Sequence, residues 1–254
     1  MTWKYTAASV TGKAHIMRGE KGQDSCRAGT IQISENEFFI GIAADGAGST
    51  TDGGRGADIA CGTLYTQITG TLREIGNLSS ITDEKVKDWI TAARLAIIAE
   101  AQERGTQLRE YACTILGSVA GKEGAIFFQI GDGAIVTGSG PEYQTIFWPE
   151  QGEYANTTFF ITDEQYLDHL HVNHAESPDE IALFTDGLQN LVLSFAQKKA
   201  HSGFFKPLFD ALKKNPVGDF SDFSTQLSSF LCRDDITARS DDDKTLVLAI
   251  RMTG

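Results

Sequence analysis

Runs of apolar residues at strand and helix spacing divide most of the chain into elements. Residues 30–34 (TIQIS) and 38–44 (FFIGIAA) are β-branched or aromatic runs joined by a polar ENE turn, which predicts a hairpin. From Gly54 the period changes: Ile59, Ala60, Thr63, Leu64, Ile68 and Leu72 recur at helical spacing as far as Gly76. A second helix is predicted over about 83–103, where Val86, Trp89, Ile90, Ala93 and Ile97 share one face. Asp83 and Glu84 suit its amino end and Gly105 follows its last turn. Short strand-like runs follow at 112–119, 125–130, 134–137, 144–148, 158–161 and 181–184, and the last falls at 245–250. Between those last two, helical patterns are predicted around 204–214, stopped by Asn215-Pro216, and around 222–231.

The order is therefore strands, two helices, several strands, two helices and a strand. Sequential strands with tight turns predict mainly antiparallel sheets, and helices in two amphipathic pairs predict covers for their outer faces. The expected class is α+β, a four-layer αββα sandwich. No linker, internal repeat or composition break divides the chain, so residues 1–254 are expected to form a single domain.

Composition narrows the partners. The 254 residues carry 22 Lys+Arg against 34 Asp+Glu, a formal charge of −12, with 41% hydrophobic residues. That is too apolar for a disordered chain. It is too acidic for electrostatic binding to nucleic acid or an anionic membrane, which needs clustered Lys and Arg. Cys26, Cys61, Cys113 and Cys232 are too scattered for a zinc or dithiol motif and read as reduced thiols of a cytosolic protein. The first fifteen residues hold no apolar run of the ~7–15 residues a signal peptide needs. Nothing approaches the ~20 of a membrane span. A cytoplasmic monomer is expected.

The chemistry lies in a set of aspartates beside the strand-like runs. Asp24 stands in Gly22-Gln23-Asp24-Ser25, Asp45 ends FFIGIAAD, Asp132 ends FFQIGD, Asp186 ends IALFTD, and Asp241, Asp242 and Asp243 precede TLVLAI. A strand ending in Asp-Gly places a carboxylate at a sheet edge, with a glycine that lets the backbone approach a ligand. Several such ends converging would gather like charges that need cations, and hard divalent ions such as Mg²⁺ or Mn²⁺ suit oxygen ligands. Asp-Gly is also a common hairpin signal. Asp45 and Asp186, however, are followed by irregular or helical patterns and not by a returning strand. His169, His171 and His174 could bind a transition metal, yet read better as a surface tract in a flexible segment.

In order and context, GQDS (22–25), AADGAG (43–48), GDGAIV (131–136), LFTDGL (183–188) and SDDDKTLVLAI (240–250) resemble the motifs of the metal-dependent type 2C serine/threonine protein phosphatases. Cys113-Thr114 is similar to that family's small-residue-plus-Thr element, and the nearest likeness is to a shorter bacterial branch. The resemblance spans about residues 10–250 and implies a β-sandwich flanked by helix pairs. It implies hydrolysis of phosphoserine and phosphothreonine in proteins by water activated between two divalent metal ions. Asp45 would bridge the two ions, the Gly46 carbonyl would contact one, and Asp186 and Asp242 would complete the other's shell. Asp24 would hold metal-bound water or stand behind the ligands, and Asp132 would serve a weaker third ion. The segment 148–180 corresponds to a substrate-facing flap.

The chain departs from the family pattern at the phosphate clamp. An Arg five residues before the first-motif Asp is usual, whereas Arg18 lies six before Asp24 and Gly19 occupies the expected place. Either Arg18 reaches in from a longer loop, or His15 takes the role, or phosphate is held weakly. Two other readings stay open: a pseudophosphatase acting as a binding module, and a metal-assisted phosphohydrolase of small metabolites.

Overall fold

The computed structural model describes residues 2–139, 142–149, 158–214 and 220–252. The chain opens with strand β1 (Thr2–Val10) and a short helix α1 (Lys13–Arg18). Strands β2 (Ser25–Ile33) and β3 (Asn36–Ala44) form the predicted hairpin and lead into helices α2 (Gly53–Ile75) and α3 (Asp83–Arg104). A 3-10 turn at Leu108–Tyr111 then precedes β4 (Ile115–Ala120), β5 (Ala125–Ile130), β6 (Ala134–Gly138) and β7 (Tyr143–Thr145). Strands β8 (His171–Ala175) and β9 (Glu180–Phe184) follow, then a 3-10 turn at Asp186–Leu188 and helix α4 (Gln189–Val192). A two-residue pair, β10 (Leu193–Ser194) and β11 (Lys199–Ala200), precedes helices α5 (Ser202–Lys214), α6 (Phe220–Leu231) and α7 (Asp234–Thr237). Strand β12 (Lys244–Met252) ends the described chain.

Two five-stranded antiparallel sheets form, in the orders β1-β12-β9-β6-β7 and β2-β3-β4-β5-β8. Their facing sides pack together through Trp3, Phe39, Leu116, Phe127, Leu183 and Val247. Helices α2 and α3 cover the second sheet, burying Leu64, Ile68, Trp89 and Ile97 against Ile40, Ile42 and Phe128. Helices α5 and α6 cover the first through Phe205, Phe209 and Leu227. The four-layer α+β arrangement expected from the element order is the one observed.

Helix α3 shows how local sequence produces these layers. Thr82 accepts a hydrogen bond from the Lys85 amide at its amino end, Asp83 and Glu84 occupy the first turn, and Val86, Trp89, Ile90, Ala93, Ile97 and Ala101 are buried. Gly105 ends it at φ 66°, a left-handed backbone that other residues adopt at a cost.

Three local expectations change. Residues 158–161 add no strand: the Ile161 amide bonds to the Cys113 carbonyl at 3.0 Å while Ile161 is buried, so these apolar residues plug the helix-covered side of the second sheet. The predicted strand at 144–148 is confined to Tyr143–Thr145. The histidine tract, read as a flexible surface segment, contributes β8, which pairs with β5 from Gln129↔His171 to Ala125↔Ala175. His169 stacks on Phe159, and His174 Nε2 lies 2.9 Å from Asp83 Oδ1, so the histidines are engaged separately. Strand β1 and helix α1 were not foreseen. Of the flap-like segment 148–180, residues 150–157 lie outside the described residues. Among the described residues, no helix is long and apolar enough to cross a membrane.

Candidate active site

Strand register gathers the aspartates at one end of the sandwich. Ser25 pairs with Ala44, so Asp24, just before β2, and Asp45, just after β3, stand together at the hairpin's open end. Ile115 pairs with Ile130, which brings Thr114 beside the turn Gly131-Asp132-Gly133 that crosses from one sheet to the other. Ala134 and Leu246 both pair with Phe184, aligning that turn and Thr245 with Thr185 and Asp186.

Carboxylate oxygens of Asp45, Asp132 and Asp186 lie within 4.8 Å of one another. Asp24 stands behind them: its Oδ2 accepts hydrogen bonds of 2.7 Å from both Thr185 Oγ1 and Thr245 Oγ1. The Thr245 amide in turn donates to Thr185 Oγ1 at 3.1 Å. Asp45 is fixed through its backbone, with its amide donating to Thr114 Oγ1 at 3.0 Å and its carbonyl accepting from the Thr114 amide at 2.8 Å. Gly46 is demanded by packing, because a Cβ there would meet the Gly53 carbonyl carbon at 2.3 Å where helix α2 begins.

Asp242 is exposed beside this group and acts on both Asp45 and Asp186 as a like charge. The buried Lys244 ammonium donates to the Asp242 carbonyl at 2.6 Å, and burial lowers that ammonium's pKa. Asp243 plays a different part. Its buried carboxylate accepts from the Gly12 amide at 2.6 Å and the Gln23 amide at 2.5 Å, and lies 3.0 Å from His15 Nδ1. It ties the loop carrying Asp24 to the loop carrying Asp242.

These contacts decide where the two clamp candidates stand. His15 is buried against Asp243, and Arg18 is held by Glu20 at 2.6 Å in a half-exposed ion pair. The structure brings Asp24, Asp45, Asp132, Asp186 and Asp242 together and engages Arg18 and His15 elsewhere. Helix α1 spans Lys13–Arg18 and Gly19 caps it, so Arg18 is the last residue of a helix and not part of a longer loop.

Burial first, and like charge second, hold the carboxylate group away from its ionised form. Desolvation, the largest cause, raises Asp24 to about 7, against the weaker lowering by Thr185 and Thr245. Asp186 is likewise raised to about 7, by desolvation and then by Asp132, Asp242 and Asp24. Asp45 is pushed well above the ordinary carboxylate range by burial and by all four neighbouring aspartates. The three groups face one another as like charges, so holding a proton is easier for each of them than for an isolated carboxylate.

The donor set fits divalent cations. Asp24 Oδ1 and Asp132 Oδ1 are buried acceptors with no protein partner, and such atoms are expensive unless something positive meets them. The ligands are all hard oxygens, from carboxylates carried on separate strand ends. Sequence reasoning found the aspartates but assigned no role to Thr185, and it missed Gln129 and Gln189, whose side-chain amides bond to the backbone of the Asp132 turn. Thr185 was detectable as the hydroxyl directly before Asp186 at a strand end, whereas the glutamines left no local signal.

Fold and site together define a two-sheet sandwich with a half-buried carboxylate centre where its strands end. The chain belongs to the protein phosphatase 2C family, whose model matches residues 11–232. It is 32% identical over 252 residues to serine/threonine-protein phosphatase 3 of Escherichia coli strain K12, covering 98% of this chain and 99% of that one. Among solved structures it is similar to the serine/threonine phosphatase Stp1 from Staphylococcus aureus, with TM-score 0.65, 16% identity, and 100% and 96% of the two chains covered. It is similar also to the catalytic domain of the phosphatase PstP in complex with two manganese ions, at TM-score 0.60 and 14% identity, covering 98% and 97%. At those identities the structural likeness concerns the fold.

Proposed function

We propose that this chain hydrolyses phosphoserine and phosphothreonine monoesters in proteins, as one catalytic unit that uses divalent metal ions. The observation that carries the reading is the meeting of Asp45, Asp132 and Asp186 within 4.8 Å, with buried carboxylate oxygens left open beside them. Asp45, with the Gly46 carbonyl, Asp186 and Asp242, would hold two ions, Mn²⁺ or Mg²⁺, and Asp132 a third. When bound, such ions supply Lewis-acid activation of water and neutralise phosphoryl charge.

The chain's own residues prepare that chemistry. Asp45, Asp186 and Asp132 project from rigid strand ends, so their spacing is set before a ligand arrives. Thr185 and Thr245 orient Asp24, leaving its second oxygen free to accept a proton or a water hydrogen bond. The glycines at 46 and 187 let backbone pack where a Cβ would collide, closing the loops tightly under the carboxylates. With Arg18 on Glu20 and His15 on Asp243, negative charge on a phosphoryl group would be met by the bound cations and not by a guanidinium clamp.

The test is hydrolysis of a phosphothreonine peptide by purified protein, with chelator, with added Mn²⁺ or Mg²⁺, and with Asp45→Asn alongside. Metal-dependent turnover that falls at least 100-fold in the variant is expected. No turnover under any metal condition by folded protein would overturn the reading in favour of a binding module. Turnover confined to small phosphometabolites would overturn the protein-substrate assignment.

A further inference from the structure

Resting on the carboxylate-metal reading above, we infer that Gln129 and Gln189 are positioning residues that set the distance between Asp132 and Asp186 and thereby the protein's affinity for its cations. The turn Gly131-Asp132-Gly133 has all three of its carbonyls held by side-chain amides. Gln129 Nε2 donates to the Gly131 carbonyl at 2.9 Å and to the Gly133 carbonyl at 3.0 Å, and Gln189 Nε2 donates to the Asp132 carbonyl at 2.9 Å. Thr158 Oγ1 adds a 2.5 Å bond to Asp132 Oδ2, leaving the unpartnered Oδ1.

The two glutamines hold the turn from different places. Gln129 is a buried strand residue of β5, anchored two residues before the turn begins. Gln189 opens helix α4, immediately after the 3-10 turn that starts at Asp186. Its side chain therefore joins the Asp186 loop to the Asp132 backbone across 57 positions of sequence. Packing prevents the turn from finding another seat: a Cβ at Gly131 would lie 2.7 Å from Thr114 Cγ2, and one at Gly133 would lie 2.4 Å from Leu116 Cδ1.

Three carbonyls of a three-residue turn could be satisfied by water if the turn were only a surface connection. Spending two glutamine side chains on them fixes the Asp132 Cα relative to both β5 and the Asp186 loop. Two of the three converging carboxylates are thus carried on one hydrogen-bonded unit, which meets Asp45 from the opposite hairpin. Groups that orient ligands from behind typically change metal affinity by about 10–100-fold when removed.

The experiment is titration of chelator-stripped, full-length protein with Mn²⁺ alone, following loss of the free-ion electron paramagnetic resonance signal. Gln189→Leu keeps the side chain's approximate size and removes the donor; it is expected to weaken Mn²⁺ binding by about 10–100-fold. Its melting temperature in chelator should stay within a few degrees of the parent, and turnover should recover when Mn²⁺ is raised to saturation. Gln129→Glu, which replaces the donor by an acceptor, should weaken Mn²⁺ binding at least as much; if it fails to fold, Gln189→Leu alone decides. Binding by Gln189→Leu within twofold of the parent would overturn the inference. So would a loss of affinity that appears only with a matching fall in the chelated protein's melting temperature. A parent protein that binds no Mn²⁺ would instead overturn the metal-centre reading itself.

Discussion

Chelation should make this protein less stable as pH rises from 5 to 7, the reverse of the usual behaviour of paired surface carboxylates. Asp24 and Asp186 are each raised from 3.8 to about 7 in the metal-free fold, and Asp45 is raised as well. A carboxyl whose folded pKa exceeds its unfolded value binds more protons when folded. Its stabilising contribution is complete below the unfolded pKa and disappears as pH climbs through the folded one. Each extra proton held by the folded state costs ~1.4 kcal/mol of stability per pH unit gained. Counting only the two groups raised to about 7, two pH units amount to roughly 5 kcal/mol. Because the groups share one cluster and titrate together, about half of that is the expected loss. For a chain of this size ~2–4 °C accompanies each kcal/mol, so the melting temperature in chelator should fall by roughly 5–10 °C between pH 5 and 7. Cations displace those protons, so stabilisation by saturating Mn²⁺ should grow over the same interval. Thermal melts in EDTA and in Mn²⁺ across pH 5–8 measure both trends. A chelated melting temperature that is flat or rises over this interval would refute the account of these carboxyls as raised by burial and mutual repulsion.

Asp243→Ala should destabilise the fold by about 3 kcal/mol, since it strands the buried Gly12 amide, the half-buried Gln23 amide and His15 together, and a thermal melt in chelator reads this without involving catalysis. Arg18→Ala removes an ion pair whose two side chains are 51% and 52% exposed, and should cost less than ~1 kcal/mol. The same variant should keep kcat/KM on an aryl phosphate within about threefold; a 100-fold loss would mean that Arg18 leaves Glu20 to bind phosphate.

Much of the architecture was legible along the chain because helix and strand periods are local. Val86 to Ile97 marked the buried face of α3, and FFQI and LVLAI marked strands buried on both faces. β1 escaped notice because its alternation, TWKYTAASV, mixes Lys4 and Thr6 into buried positions where helices α5 and α6 cover the sheet. The run at 158–161 misled in the other direction, since apolar content signals burial but not a partner strand. The histidine tract became a strand because β5 offered an open edge, which no feature of HVNHA announces.

At the site, the aspartates could be picked out by sequence alone, because each stands beside an apolar strand, most of them at its end with a glycine following, and that context is written in a few consecutive residues. Which carboxylates actually meet was decided by register, and how they are held was decided by contacts between distant segments. Asp24 is oriented by Thr185 and Thr245, 161 and 221 positions away, and Asp243 ties itself to Gln23 across 220. The same long-range packing draws His15 onto Asp243, a choice that counting residues around Asp24 could not make. Sequence determines which side chains are offered at the strand ends, since that depends on local pattern. Tertiary structure alone determines which of them face one another and repel as like charges, since that depends on the pairing and stacking of two whole sheets.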